Sequence, residues 1–202
     1  MPRGRGRPPY HPAMRTPAAA SVHVLHAGYV RDGGRVGGSV VLVRDGDATI
    51  VVDPGMVARR ALILDPLAAH AVAPESVTHV FLSHHHPDHT VNIALFPNAE
   101  VVDFWARYRD DLWLDHDGDG YLLAPHSTLW LTPGHTEEDA SLIVRADDGV
   151  YAMTHLWWFS DRTPEVDPLG SDQAAIERAR ARVLATADVV IPGHGEPFRV
   201  GR

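Results

Sequence analysis

From Ser21 onward the apolar residues fall in short runs broken by Gly, Pro, Asp and Asn, which is the punctuation of strands rather than of long helices. Residues 22–26 and 39–44 predict strands, and 48–52 predict another, joined to its predecessor by the turn residues Asp45-Gly46-Asp47. Asp53-Pro54-Gly55 stops that run. Residues 57–72 read as helix divided by Pro66, which can open a second helical turn at its first position. Residues 78–83 (THVFLS) predict a short buried strand that runs straight into His84-His85-His86-Pro87-Asp88-His89. A helix start follows, then a strand near 99–103 and an irregular acidic stretch at 110–120. Strands at 128–132, 141–146 and 150–154 come next, the last two joined by Asp147-Asp148-Gly149. Residues 172–187 carry apolar positions at helical spacing, and 188–191 form a last buried strand ending in Pro192-Gly193-His194-Gly195-Glu196-Pro197. Strands come first and then mix with helices, which suits sheets covered by helices better than a parallel α/β repeat.

A length of 202 residues fits one domain with an arm. Residues 1–20, rich in Pro, Gly and Arg, have little to bury and are expected to be a flexible arm; the domain is expected to span 21–202. No apolar stretch near the start resembles a secretory leader, and none approaches the ~18 residues that span a bilayer, so a cytoplasmic protein without membrane contact is expected. There are 18 basic and 26 acidic residues, and every basic one is Arg. Setting aside Arg3, Arg5, Arg7 and Arg15 in the arm leaves 14 against 26, a balance of −12. A body that acidic repels phosphate backbones and disfavours nucleic acid as a partner. Cysteine is absent, which excludes disulfides, thiolate metal sites and a thiol nucleophile. Any metal must be held by imidazole and carboxylate.

Fourteen histidines change the picture. His84 and His86 lie two apart just after a strand, so both rings project to one side in extended geometry. Pro87 suppresses helix before it and starts helix after it, which puts Asp88 and His89 in a first helical turn. Neutral imidazoles and a carboxylate gathered in six residues suit Zn2+, Fe2+ or Mn2+. His135, His155 and His194 each end a predicted strand or sit beside glycine, where the backbone can approach a shared centre.

His84-x-His86-x-Asp88-His89, His135 in Pro-Gly-His-Thr and His194 in Pro-Gly-His-Gly together resemble the metallo-β-lactamase fold superfamily. The resemblance covers residues from about 21 to 200, and Asp53-Pro-Gly takes the place of that family's Asp-x-Gly turn. The segment 187–200 is similar to the metallo-β-lactamase domain-containing protein 1 group. The resemblance implies an α+β fold, a four-layer αββα sandwich with a metal site along one sheet edge. It implies two zinc positions: His84, His86 and His135 at the first, Asp88, His89 and His194 at the second. Asp53 would orient a ligand ring from outside, His85 would point away, and His79 would be a packing or outer residue. Most of the superfamily's hydrolases place a bridging Asp where this chain has His155, and a neutral imidazole cannot bridge two cations in the same way. A single-metal site of His84, His86 and His135, with or without His155, is therefore the alternative to two ions, and Fe or Mn the alternatives to zinc.

The activity implied is hydrolysis by a metal-bound hydroxide, with Asp88 orienting the nucleophile or passing its proton to the leaving group. A small-molecule ester, lactone, thioester or amide is the expected substrate. RNA phosphodiester cleavage, a mononuclear-iron sulfur dioxygenase and a non-enzymatic metal-binding role are the alternatives. Trp157, Trp158 and Phe159 follow His155 directly and could wall an apolar pocket for an acyl chain, or else pack against the sandwich. Asp161, Glu165 and Asp167, with only Arg162 as counter-charge, form a rim that disfavours polyanions. Asp115-x-Asp117-x-Asp119-Gly120 imitates half a calcium loop, but His126 stands where a bidentate Glu is needed, so a solvated acidic loop is expected.

Overall fold

The computed structural model of the chain describes residues 19–159 and 164–201. Its first half runs β1 (Ser21–His26), β2 (Tyr29–Arg31), β3 (Arg35–Gly37), β4 (Val40–Asp45), β5 (Ala48–Val52), α1 (Ala61–Ala69), β6 (His79–Phe81), α2 (Pro87–Thr90), β7 (Glu100–Val102), β8 (Ala106–Arg109) and β9 (Leu112–Asp115). Its second half runs β10 (Leu122–Ala124), β11 (Ser127–Leu131), β12 (Ala140–Ala146), β13 (Gly149–Thr154), α3 (Gln173–Thr186), β14 (Val189–Pro192) and β15 (Phe198–Arg199). Seven strands form one sheet in the order β1-β4-β5-β6-β7-β8-β9, and six form a second in the order β10 to β15. The β2–β3 hairpin stands apart as a two-stranded ribbon.

Why two sheets stack with helices outside them follows from the side-chain period of two along each strand. In β4, Val41 and Val43 enter the core between the sheets, while Val40 and Leu42 enter a second core beneath α1. The second sheet divides in the same way. Leu142 and Val144 of β12 and Met153 of β13 face the first sheet, while Ile143 and Ala152 face α3. Runs such as Val-Val-Leu-Val are apolar at every position because both faces of the strand are covered. The architecture is the αββα sandwich.

Three expectations are corrected. The helix of 57–72 starts only at Ala61 and continues through Pro66 as one piece, because burial of Ile63 and Leu67 outweighs the lost backbone bond. The stretch 110–120 is not irregular throughout: residues 112–115 are β9, paired antiparallel with β8. Residues 1–18 of the arm lie outside the described residues, but Ala20 is 1% exposed and bridges Ala146, so the packed domain starts before Ser21.

The sheets also place the chemistry. β5 and β6 run parallel in the first sheet, β13 and β14 run parallel in the second, and the four carboxyl ends lie at one edge of the sandwich. Every segment singled out for its histidines leaves from there or from the β11–β12 turn. At the opposite end, buried Asp45 accepts hydrogen bonds from His126 N, His126 Nδ1 and Ser127 Oγ at 2.7–2.8 Å, and so ties the two sheets together. The mock calcium loop is used similarly: Asp119 Oδ1 accepts from Leu131 N and from Arg182, both at 3.0 Å.

Candidate metal centre

The loop of 84–89 is set by what it packs on. Pro87 opens α2, and the carbonyl of Asp88 accepts from Gly38 N at 3.0 Å and Met56 N at 3.1 Å. Gly55 makes this approach possible, since a Cβ there would lie 1.6 Å from the Asp88 carbonyl oxygen. Asp53 is held in a left-handed conformation, φ 48°, which its short polar side chain tolerates. Gly193 acts on the other wall: a Cβ there would come within 2.3 Å of His155 Cδ2.

Six imidazoles and one carboxylate meet in the space so formed. His86 Nδ1 lies 3.0 Å from His84 Nε2 and 3.2 Å from His135 Nε2. His155 Nε2 lies 3.2 Å from His194 Nε2. Asp88 Oδ2 lies 3.4 Å from His89 Nε2 and 3.6 Å from His194 Nε2. Ring nitrogens of His84, His135 and His155 all fall within 4.8 Å of one another, and so do those of His89, His155 and His194. The structure thus gathers every residue of the two anticipated sets, with the His155 ring between them, 4.1 Å from His135 and 5.2 Å from His194 by centroids.

The far nitrogens of four rings are already engaged. His89 Nδ1 donates to Asp53 Oδ2 at 3.0 Å, His135 Nδ1 to Asp167 Oδ2 at 2.9 Å, and His194 Nδ1 to the Gly37 carbonyl at 3.0 Å. His84 Nδ1 donates to Ser83 Oγ at 3.0 Å, and Ser83 Oγ donates to Asp53 Oδ2 at 2.7 Å. One carboxylate therefore orients a ring from each set, directly for His89 and through Ser83 for His84. With Nδ1 carrying the proton, the rings of His84, His135 and His194 turn an unprotonated Nε2 toward the centre, and His89 turns its Nε2 toward Asp88. Among the described residues, His89 Nε2 and His155 Nδ1 are buried without a hydrogen-bond partner. Lone pairs converging in a dry space repel unless a cation lies among them, and the donor set of imidazole and carboxylate fits a divalent transition metal.

Electrostatics agree with that fit at four of the rings, and the fifth, His89, must give up a proton to join a metal. Burial, reinforced by neighbouring rings, holds His84 and His155 well below the ordinary imidazole range and brings His194 down to about 4. These rings are neutral at pH 7 and free to donate lone pairs. Burial also lowers His135, opposed by Asp167. At His89 burial works in the same direction, but Asp53 and Asp88 prevail and raise the ring to about 9. Burial would raise Asp88, yet His89 and His194 hold it down at about 2, so it is ionised.

Above the rings lies a cavity of about 390 Å³. His86, Asp88, His135, His155 and His194 contribute to its lining, together with Val30, Val36, Met56, Trp158 and Leu169. The aromatic run divides: Trp158 lines the cavity, whereas Trp157 is 7% exposed, packed 5.8 Å from Phe198 and 5.6 Å from the Arg180 guanidinium. Trp157 therefore belongs to the core beneath α3 and not to the pocket. Phe159 is half-buried with its ring 6.4 Å from His194. His85 turns away to Asp103 Oδ2 at 2.9 Å, and His79 contacts Thr78 Oγ1 at 2.8 Å within β6. Asp161 and Arg162 of the acidic rim lie outside the described residues.

Two contributors escaped sequence reasoning. Asp167, read there as rim charge, is 5% exposed and accepts from His135 Nδ1, Trp158 Nε1 and Leu169 N, each at 2.9 Å. It couples a ring of the first set to the cavity wall. The β2–β3 hairpin supplies Val30 and Val36, and nothing in Arg31-Asp32-Gly33-Gly34-Arg35 announces that role.

The family model for the metallo-beta-lactamase superfamily matches residues 33–200. A Xenopus laevis protein named metallo-beta-lactamase domain-containing protein 1 is 38% identical over 191 residues, covering 89% of this chain and 82% of the relative. The chain spans 62–66% of the length of three mammalian relatives of the same name. Among solved structures, a Thermotoga maritima protein described as a metallo-beta-lactamase superposes with a TM-score of 0.70 at 19% identity, covering 90% of this chain and 99% of its own. A B. thuringiensis AiiA variant with N-decanoyl-L-homoserine bound at the active site superposes with a TM-score of 0.63 at 17% identity, covering 90% and 94%.

Proposed function

This chain belongs to the metallo-β-lactamase superfamily and is a metal-dependent hydrolase, and from that premise we propose that it hydrolyses a small lactone, thioester or ester at a two-zinc centre. The observation that carries the reading is the convergence of His84, His86 and His135 beside Asp88, His89 and His194, under one largely apolar cavity. The first three would hold one ion and the second three the other. A cation held there would supply Lewis acidity and make water acidic enough to ionise near neutral pH.

The rest is the work of side chains. Asp53 fixes the rings of His84 and His89, and Asp167 fixes that of His135, so that the ligand set is preorganised. Asp88 keeps 17% of its side-chain surface exposed while ionised; its Oδ2 faces His89 and His194 and would help hold the ion, leaving the other carboxylate oxygen to accept a proton and deliver it to the leaving group. Trp158, Val30, Val36 and Leu169 would enclose the non-reacting part of the substrate and exclude water from it. A closed metal store would leave Asp88 inaccessible, and the cavity above it speaks against that role. The apolar walls and the acidic balance of the chain favour an acyl compound over RNA. A B. thuringiensis protein of the same fold is described with N-decanoyl-L-homoserine bound at its active site, which supports an acyl substrate here.

Zinc-loaded protein assayed against a γ-lactone, a chromogenic thioester, a cephalosporin and single-stranded RNA is expected to turn over the lactone or the thioester and to lose that activity with a chelator. Cleavage of RNA with all three small substrates inert would contradict the assignment.

A further inference from the structure

The cavity over the imidazoles continues past the hairpin. Gly34, Val36 and Met56 line it and also line a second cavity of about 380 Å³, which runs between β2–β3 and residues 56–58. Arg35 is the charged side chain in that second lining. Arg31, on the same hairpin, stacks its guanidinium 4.3 Å over the Tyr29 ring, and Arg59 follows directly after Ala58. Among the described residues none of Arg31, Arg35 and Arg59 has a carboxylate within ion-pair distance, although the chain holds 26 acids against 18 arginines. Asp32, in the hairpin turn, is the acid nearest to them in sequence. The charge around the cleft is therefore uneven: Asp88 lies at the centre, and Arg31 and Arg35 stand on the hairpin side.

A guanidinium left without a partner beside an apolar groove is a ready receptor for a carboxylate, which it can grip through two parallel N–H bonds. We propose that the non-reacting end of the substrate carries a carboxylate, seated on Arg35 in the groove under the β2–β3 hairpin, with the acyl centre over the imidazoles. The inference rests on the hydrolase reading and deepens it. A monoanion fits better than a phosphate, because a single arginine lines the groove and Asp88, the acid in the adjoining cavity, opposes higher charge.

The test titrates zinc-loaded protein by calorimetry with straight-chain α,ω-dicarboxylates of about four to ten carbons and with monocarboxylates of matching length. One carboxylate of either series can occupy the centre, and only a diacid of the right length can also reach Arg35. At that length the diacid is expected to bind about 2- to 5-fold tighter, the worth of an ion pair at an exposed arginine. The gap should shrink as salt is raised. Arg35→Gln should close it while leaving monoacid binding and the fold unchanged. With thioesters of the same acids, that variant should raise KM for the diacid compound by about the same factor at nearly constant kcat, since the tail is held equally before and during reaction. Absence of a gap at every length, or a gap that survives Arg35→Gln, overturns the subsite while turnover leaves the hydrolase reading standing. If neither series binds and neither the lactone nor any thioester is turned over, the small-molecule hydrolase reading fails and the subsite falls with it.

Discussion

Replacing His84 and His86 together by Ala is expected to remove bound metal and to lower kcat/KM on any lactone or thioester substrate by on the order of 10³-fold or more. The two rings stand at the base of the first set, with His84 Nε2 3.0 Å from His86 Nδ1 and both close to His135. Deleting them leaves a single imidazole of the anticipated three with His155 beside it, too few donors to hold an ion firmly, and His85 cannot move in because it points to Asp103 on the other side of the loop. The loss should be chemical rather than structural. The loop is held by the Asp88 carbonyl and the Asp53 turn, which make no contact through these side chains' inner nitrogens. His84 is buried, so its truncation will cost some stability through the cavity it leaves, about 2–5 kcal/mol for a large buried side chain. Elemental analysis and circular dichroism on the same samples separate the two effects. A folded double variant that keeps both its metal and its activity would refute the assignment of the first set.

His155→Asp is expected to tighten binding of the second ion by about 10- to 100-fold, the range that changes around a metal's ligands command. In the structure His155 takes part in both groups of converging nitrogens, so a neutral ring there can serve one ion but cannot bridge two. Its Nε2 faces His194 at 3.2 Å, and its Nδ1 is buried without a partner. Burial holds the ring well below the ordinary imidazole range, so it brings no positive charge, but it brings no negative charge either. An aspartate would supply two oxygens and one negative charge between the ions. Calorimetric zinc titration of both forms reads the change. Identical affinity and stoichiometry in the two proteins would mean that His155 is a wall of the site and not a ligand.

Much of this centre was legible in the chain because it is built from local features. The Val-Val-Leu-Val run of β4 and the apolar run of β6 read as strands covered on both faces, and the structure divides their side chains between two cores. His84-x-His86-x-Asp88-His89 needs only a strand, a proline and one helical turn to gather its donors. Elsewhere the determinants are tertiary. Nothing local marks Asp167, since a carboxylate in a Pro- and Gly-containing loop looks solvated until the fold brings His135 and Trp158 to it. Trp157 and Trp158 are indistinguishable by type, yet the chain turns and bends through 155–159, so one enters the core and the other lines the cavity. The β2–β3 hairpin has hardly any apolar alternation, because its role is to lie over the cavity and not to fill a core. Pro66 misled for the opposite reason: a strong local breaker was overridden by the buried contacts of Ile63 and Leu67.

The most direct measurement is the zinc content of the purified, zinc-supplemented protein after exhaustive dialysis, read together with the anomalous scattering of crystals grown from it. More than one zinc per chain is expected, one fixed by His84, His86 and His135 and a more readily lost one by Asp88, His89 and His194. Less than one zinc per chain, or scattering peaks away from these rings, would contradict the account.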